Sequence, residues 1–218
     1  MNDEPALILF MSAVGLYVLH LWIQDYRAAL NGQPSAQALP GAAPTTPSAC
    51  FIAAAGAVLL LIVETFGEIR LGISAEQTEI TLLFGVYTLI AAFIEELIFR
   101  GYIVVEGRGK ALRWAGIVGA SVLFAGLHPF LWSWDMGSSA MWQVFMIWRW
   151  SEWLTWDFST KGVFSTAILF VSSLWFYTVR FASFNRTHSL LPCIVAHGTK
   201  NLGVIAVKGY QGFVSGWW

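Results

Sequence analysis

Long apolar runs, each near the 20 residues that a helix needs to cross a bilayer, alternate along this chain with short polar breaks. They fall at 5–24, 49–66, 79–106, 111–131, 162–181 and 188–207. The pattern predicts an all-α fold, a polytopic membrane helix bundle of about six transmembrane spans. Between the first two runs, Asn31-Gly32-Gln33-Pro34 leads through Pro40, Pro44 and Pro47, a Pro/Ala/Gly/Thr-rich stretch with little to bury. It reads as a mobile linker. The chain thus divides into an N-terminal span plus linker over 1–48 and a transmembrane domain over 49–218.

Over 132–157 the pattern changes, because Trp132, Trp134, Trp142, Trp148, Trp150, Trp153 and Trp156 crowd one segment. Tryptophan gathers at membrane–water interfaces, where its ring is buried and its N–H still finds a partner. The segment predicts a short interfacial or re-entrant helix. A lid or docking surface over a catalytic cavity is the alternative, and the sequence does not separate the two.

Composition supports the membrane reading. The chain is 57% hydrophobic and only 11% charged, too few charges to clothe a soluble surface. The net charge is −1 and no basic cluster occurs, so no nucleic-acid partner is expected. Cys50 and Cys193 are isolated and suggest neither a disulfide framework nor a zinc ribbon. Asp3 and Glu4 make the start acidic, unlike the basic start of a signal peptide, so 5–24 is expected to be a retained span. Arg108, Lys110 and Arg113 after the third run, with Arg180 and Arg186 after the fifth, assign those two loops to the cytoplasm. Both termini then lie on the opposite side.

Ionisable groups inside spans are costly and mark function. The third run contains Glu95, Glu96 and Arg100. Glu96 and Arg100 are four apart and share a helix face, acid before base. Glu95 is turned by about 100° from its neighbour. Arg100 is therefore expected to neutralise Glu96, leaving Glu95 to face a polar cavity as a general base. In the fourth run Phe124 and His128 are four apart, beside the small Ala125 and Gly126. A tight turn at Gly107-Arg108-Gly109 folds this run back on the third, with His128 offset from Glu95 by about 7 Å along the axis. A water could bridge the two. In the sixth run His197 and Asn201 are again four apart, and an imidazole with an amide aimed at one point makes an oxyanion trap. His20 and His188, near run ends, read as interfacial, and Glu64 reads as snorkelling or paired.

The blander reading of each element is structural: a helix-to-helix hydrogen bond for a buried histidine, a brace for the Glu–Arg pair. The conjunction in order argues otherwise. Glu95-Glu96-x-x-x-Arg100, Phe124-x-x-x-His128 and His197-x-x-x-Asn201, with Phe99-Arg100-Gly101-Tyr102 continuing the first, resemble the three motifs of the CPBP family of intramembrane proteases. These are the CAAX proteases and bacteriocin-processing enzymes, related to the prenyl-protein endopeptidase. The resemblance covers about 79–207. It implies a glutamic-type endopeptidase without a cofactor or metal, in which Glu95 and His128 activate water and His197 and Asn201 hold the oxyanion. Glu96, Arg100 and Phe124 would support the site. The implied partners are the lipid bilayer and a protein or peptide substrate with a membrane-embedded or lipidated segment, cleaved at a leader or a C-terminal sorting tail. The implied location is the plasma membrane of a prokaryote.

Two rivals stand beside it. Zinc held by Glu95 or Glu96, His128 and His197 would make a metalloprotease. A transporter or scaffold of the same fold would use buried Glu and His as a proton relay. The chain shows no inverted repeat of the kind that transporters carry.

Overall fold

A computed structural model describes residues 5–104, 109–134 and 154–217. Six helices make the described chain: α1 (Pro5–Leu30), α2 (Pro47–Leu71), α3 (Leu82–Glu96), α4 (Lys110–Leu127), α5 (Thr160–Phe181) and α6 (Leu191–Gln211). The first five, α3 being counted with the π-helical turn Leu97–Tyr102 that continues it, are long and apolar enough to cross a membrane. Helix α6 has the length, at 21 residues, but carries His197, Lys200, Asn201 and Lys208. The protein is an all-α integral membrane protein.

Local chemistry sets the ends of these helices. Thr46 and Thr81 cap α2 and α3 by accepting from the N–H groups of Ala49 and Phe84, and Ser159 accepts from Gly162 at the start of α5. Gly72 ends α2 at φ 73°, where a side chain would be strained. Helix α4 stops sooner than the apolar run does. Pro129 disfavours helical geometry in the residue before it, so His128 takes φ −81°, ψ 129° and caps the helix from outside.

Helix α1 packs on α3, α4 on α5, and α6 lies against both α2 and α3. Bare backbones allow the closest approaches: a Cβ on Gly203 would collide with Leu61 of α2, and one on Gly56 with the Trp175 ring of α5. One core cluster joins Trp22, Phe93, Leu97, Phe176, Leu190 and Ala196, and a second joins Phe99, Ile117, Phe124 and Tyr177. Leu7, Phe10, Phe51, Leu59 and Ile62 remain exposed on α1 and α2, as a lipid-facing surface requires.

Three expectations change. The segment 31–46 is fastened rather than mobile: Leu39 N–H donates to Asp25, Trp22 Nε1 to the Pro40 carbonyl, Leu190 N–H to the Gly41 carbonyl and Thr187 to the Pro44 carbonyl. Its backbone groups, more than its side chains, hold it down. The ends of the Trp-rich segment are strands rather than helix: Trp132–Trp134 pairs antiparallel with Leu154–Trp156, and Ser133 meets Thr155 across the ladder at 2.6 Å. Residues 135–153, with Trp142, Trp148, Trp150 and Trp153, lie outside the described residues, as do 105–108 of the expected turn. Finally Arg180, expected in a loop, lies buried in α5 and donates from Nε to the Arg100 carbonyl at 3.0 Å.

Candidate active site

At Glu96 the α-helix of α3 gives way to the wider π-helical turn Leu97–Tyr102, a local widening often found at functional sites. The neighbouring helix α5 satisfies carbonyls that the turn leaves out of register. Tyr177 Oη donates to the Phe99 carbonyl at 2.6 Å, with the Ile103 carbonyl 3.1 Å away, and Arg180 serves the Arg100 carbonyl. The turn carries Arg100 inward, directly beside Glu96.

The two carboxylates are separated as their rotation about the helix predicts. Glu96 is sealed, with 0% of its side chain exposed, whereas 31% of the Glu95 side chain is open. Arg100 Nη1 donates to Glu96 Oε1 at 3.1 Å. The guanidinium is enclosed by the rings of Phe124, Tyr177, Phe176 and Phe99, its carbon 4.6 to 5.8 Å from their centroids. Such a cage favours a desolvated cation. Burying an ion pair costs several kcal/mol for each ion, and the cost is offset only where further hydrogen bonds satisfy the pair. Here Arg100 Nη2 donates to Ser173 Oγ at 2.6 Å, and Ser173 Oγ to Ser121 Oγ at 3.0 Å.

His197 completes the cluster from α6. Its Nδ1 lies 2.8 Å from Glu96 Oε1, the same oxygen that Arg100 holds. A carboxylate in this pair only accepts, so Nδ1 carries the proton and Nε2 is the nitrogen turned toward the open side. Nε2 stands 3.8 Å from Glu95 Oε2, too long for a hydrogen bond and within ion-pair range. The ring is stacked on Phe176, centroids 4.8 Å apart and planes at 23°, which leaves it little freedom to flip.

His128 reaches the cluster by another route. Its ring packs on Phe124 at 4.9 Å, and Nδ1 lies 2.8 Å from the Phe124 carbonyl. Phe124 also meets the His197 ring edge-on at 6.1 Å. Residues from all three motifs thus converge on one buried phenyl ring. Asn201 sits one turn beyond His197 and donates from Nδ2 to the Thr88 carbonyl of α3 at 3.0 Å. Its side chain braces α6 against α3, with the second amide hydrogen available for other work. Among the described residues, no three His, Cys, Asp or Glu side chains gather into a metal-ligating group.

Sequence spacing missed Ser121, Ser173, Phe176 and Tyr177. The adjacent pair Ser172-Ser173 in an apolar run was the available signal, since a hydroxyl inside a span needs a partner. Glu64, expected to snorkel or pair, is paired with Lys200 Nζ at 2.7 Å.

Comparison with known proteins places the chain in a family. The family model described as type II CAAX prenyl endopeptidase Rce1-like matches residues 77–203, more than half of the chain and the whole of the cluster. No curated protein and no solved structure matches. The chain belongs to the Rce1-like family of type II CAAX prenyl endopeptidases.

Proposed function

We propose that this protein is a glutamic-type intramembrane endopeptidase. The observation that carries the reading is the division of the glutamates: Glu96 is sealed against Arg100 and His197, while Glu95 stays partly open beside His197 Nε2. Glu95 takes a proton from a water whose oxygen attacks the peptide carbonyl, and His128 assists in placing that water. His197 and Asn201 stabilise the oxyanion that forms. The proton held by Glu95 then passes to the departing amine as the C–N bond breaks. Glu96, Arg100 and Phe124 hold the site in shape. No metal takes part in this scheme.

The substrate is a protein or peptide whose membrane-embedded or lipidated segment brings the scissile bond to the bilayer, and cleavage removes a leader or a C-terminal sorting tail. The site is built mainly on helices long and apolar enough to cross a membrane, and the matched family is described as a CAAX prenyl endopeptidase family. We assign the protein to the plasma membrane of a prokaryote, which cell fractionation tests.

Glu95→Gln tests the chemistry. The variant should fold as the parent does and lose activity by about a hundredfold or more, the contribution of a positioned general base. Full activity in Glu95→Gln would remove the proposal. Activity that strong chelator abolishes and zinc restores would replace it with the metalloprotease reading. Comparing membrane proteomes of a deletion strain and its parent should show one protein retaining an unprocessed terminal segment, and identical proteomes would count against a protease.

A further inference from the structure

Five side chains from four helices form one unbroken buried chain: Ser121 of α4, Ser173 of α5, Arg100 and Glu96 on α3 and the π-helical turn that continues it, and His197 of α6. Ser121, Ser173, Arg100 and Glu96 are each 0% exposed. Arg100 is anchored at both tips of its fork, by Glu96 at Nη1 and Ser173 at Nη2, while Arg100 Nε has no hydrogen-bond partner among the described residues. On Glu96, Oε1 serves both Arg100 and His197, while Oε2 has no hydrogen-bond partner among the described residues. With the His197 ring stacked on Phe176, Oε1 is the acceptor that faces its Nδ1 and so favours the proton there. The guanidinium that holds Oε1 is itself held at its far tip by the Ser173 hydroxyl at 2.6 Å.

We infer that Ser173, backed by Ser121, is a positioning residue for His197, fixing through Arg100 and Glu96 the tautomer that turns Nε2 toward Glu95. The kinetic part rests on the function proposed above; the tautomer does not. A purely structural serine would contribute packing and one hydrogen bond, and its loss would lower stability without moving a proton on a ring in another helix. A positioning serine transmits its loss. Without the hydroxyl, the guanidinium turns toward the Ser173 carbonyl, which already lies 3.3 Å from Nη2, and Oε1 moves with it.

The test uses the full chain in lipid nanodiscs with 15N-labelled histidine. The chain has 4 histidines, and His197→Gln identifies the resonances of His197 by their disappearance. The parent should show His197 with the proton on Nδ1. Ser173→Ala should mix the two tautomers, and Ser173→Thr, which keeps the hydroxyl, should restore the parental pattern. With a quenched fluorescent peptide bearing a farnesylated cysteine near its C-terminus as probe, Ser173→Ala should lower kcat about tenfold at unchanged KM, the loss of one charge-assisted hydrogen bond. Ser121→Ala, one link further out, should lower kcat less and is read the same way should Ser173→Ala fail to fold. A parental tautomer in folded Ser173→Ala overturns the inference, as does a rise in KM at constant kcat. A parent that leaves the probe uncut counts against the proposed activity on prenylated peptides, while the tautomer still decides the role of Ser173.

Discussion

Glu95 and Glu96 are chemically identical neighbours, and only their surroundings separate them. Glu96 balances a caged guanidinium, so Glu96→Gln leaves Arg100 buried without its anion, a change that costs about 3–5 kcal/mol. Glu95 is part-exposed and, among the described residues, has no ion-pair partner closer than His197 Nε2 at 3.8 Å, so Glu95→Gln should leave stability within about 0.5 kcal/mol of the parent. Denaturation of the two variants in the same detergent should therefore separate them clearly. Equal losses of stability would mean that both carboxylates are structural. Phe176→Ala is the aromatic counterpart. It removes the face on which His197 is stacked and one wall of the Arg100 cage, and should cost about 3–5 kcal/mol together with most of the activity. Circular dichroism against temperature and a cleavage assay check both parts.

Helix periodicity made some of this site legible and hid the rest. The i to i+4 rule placed Arg100 on Glu96 and turned Glu95 away, as observed. It also put His128 on the same helix as Phe124, and there Pro129 intervenes: the histidine still packs on Phe124, but from an extended cap. Contacts between distant parts of the chain had no local signature. Glu96 and His197 are 101 residues apart, Arg100 and Ser173 are 73 apart, and only packing brings them together. The tethering of 31–46 was hidden for a similar reason, since backbone hydrogen bonds leave no mark on composition. The π-helical turn belongs to this level too. Tyr177→Phe keeps the ring in the Arg100 cage but deprives the Phe99 carbonyl of its donor. The expected cost is about 1–3 kcal/mol, and hydrogen exchange should quicken first at residues 97–102.

At the scale of the molecule, the matched family region begins at residue 77, after both α1 and α2, yet the helix that carries His197 and Asn201 is built against α2. Gly203 gives Leu61 room to approach, and one turn earlier on α6 Lys200 reaches across to Glu64. Lys200 is 5% exposed, so in a bilayer that carboxylate is what compensates its burial. The pair is thus a second lock on α6, beside the Glu96–His197 contact, and its carboxylate comes from outside the family region. A double-mutant cycle measures it. Lys200→Met removes a buried cation but strands Glu64; Glu64→Leu strands Lys200 and should cost about 3–5 kcal/mol. Combined, the two changes replace the pair by apolar groups of similar volume, and the double variant should recover most of that stability, because neither charge is left alone. Simple addition of the two single losses would show that the groups do not act as a pair. Activity in the double variant then separates two roles for α2. If stability and cleavage return together, α2 acts as packing for α6, with the ion pair as its register. If stability returns without cleavage, the charge beside His197 and Asn201 takes part in setting their field, and α2 belongs to the working site as fully as α3 does.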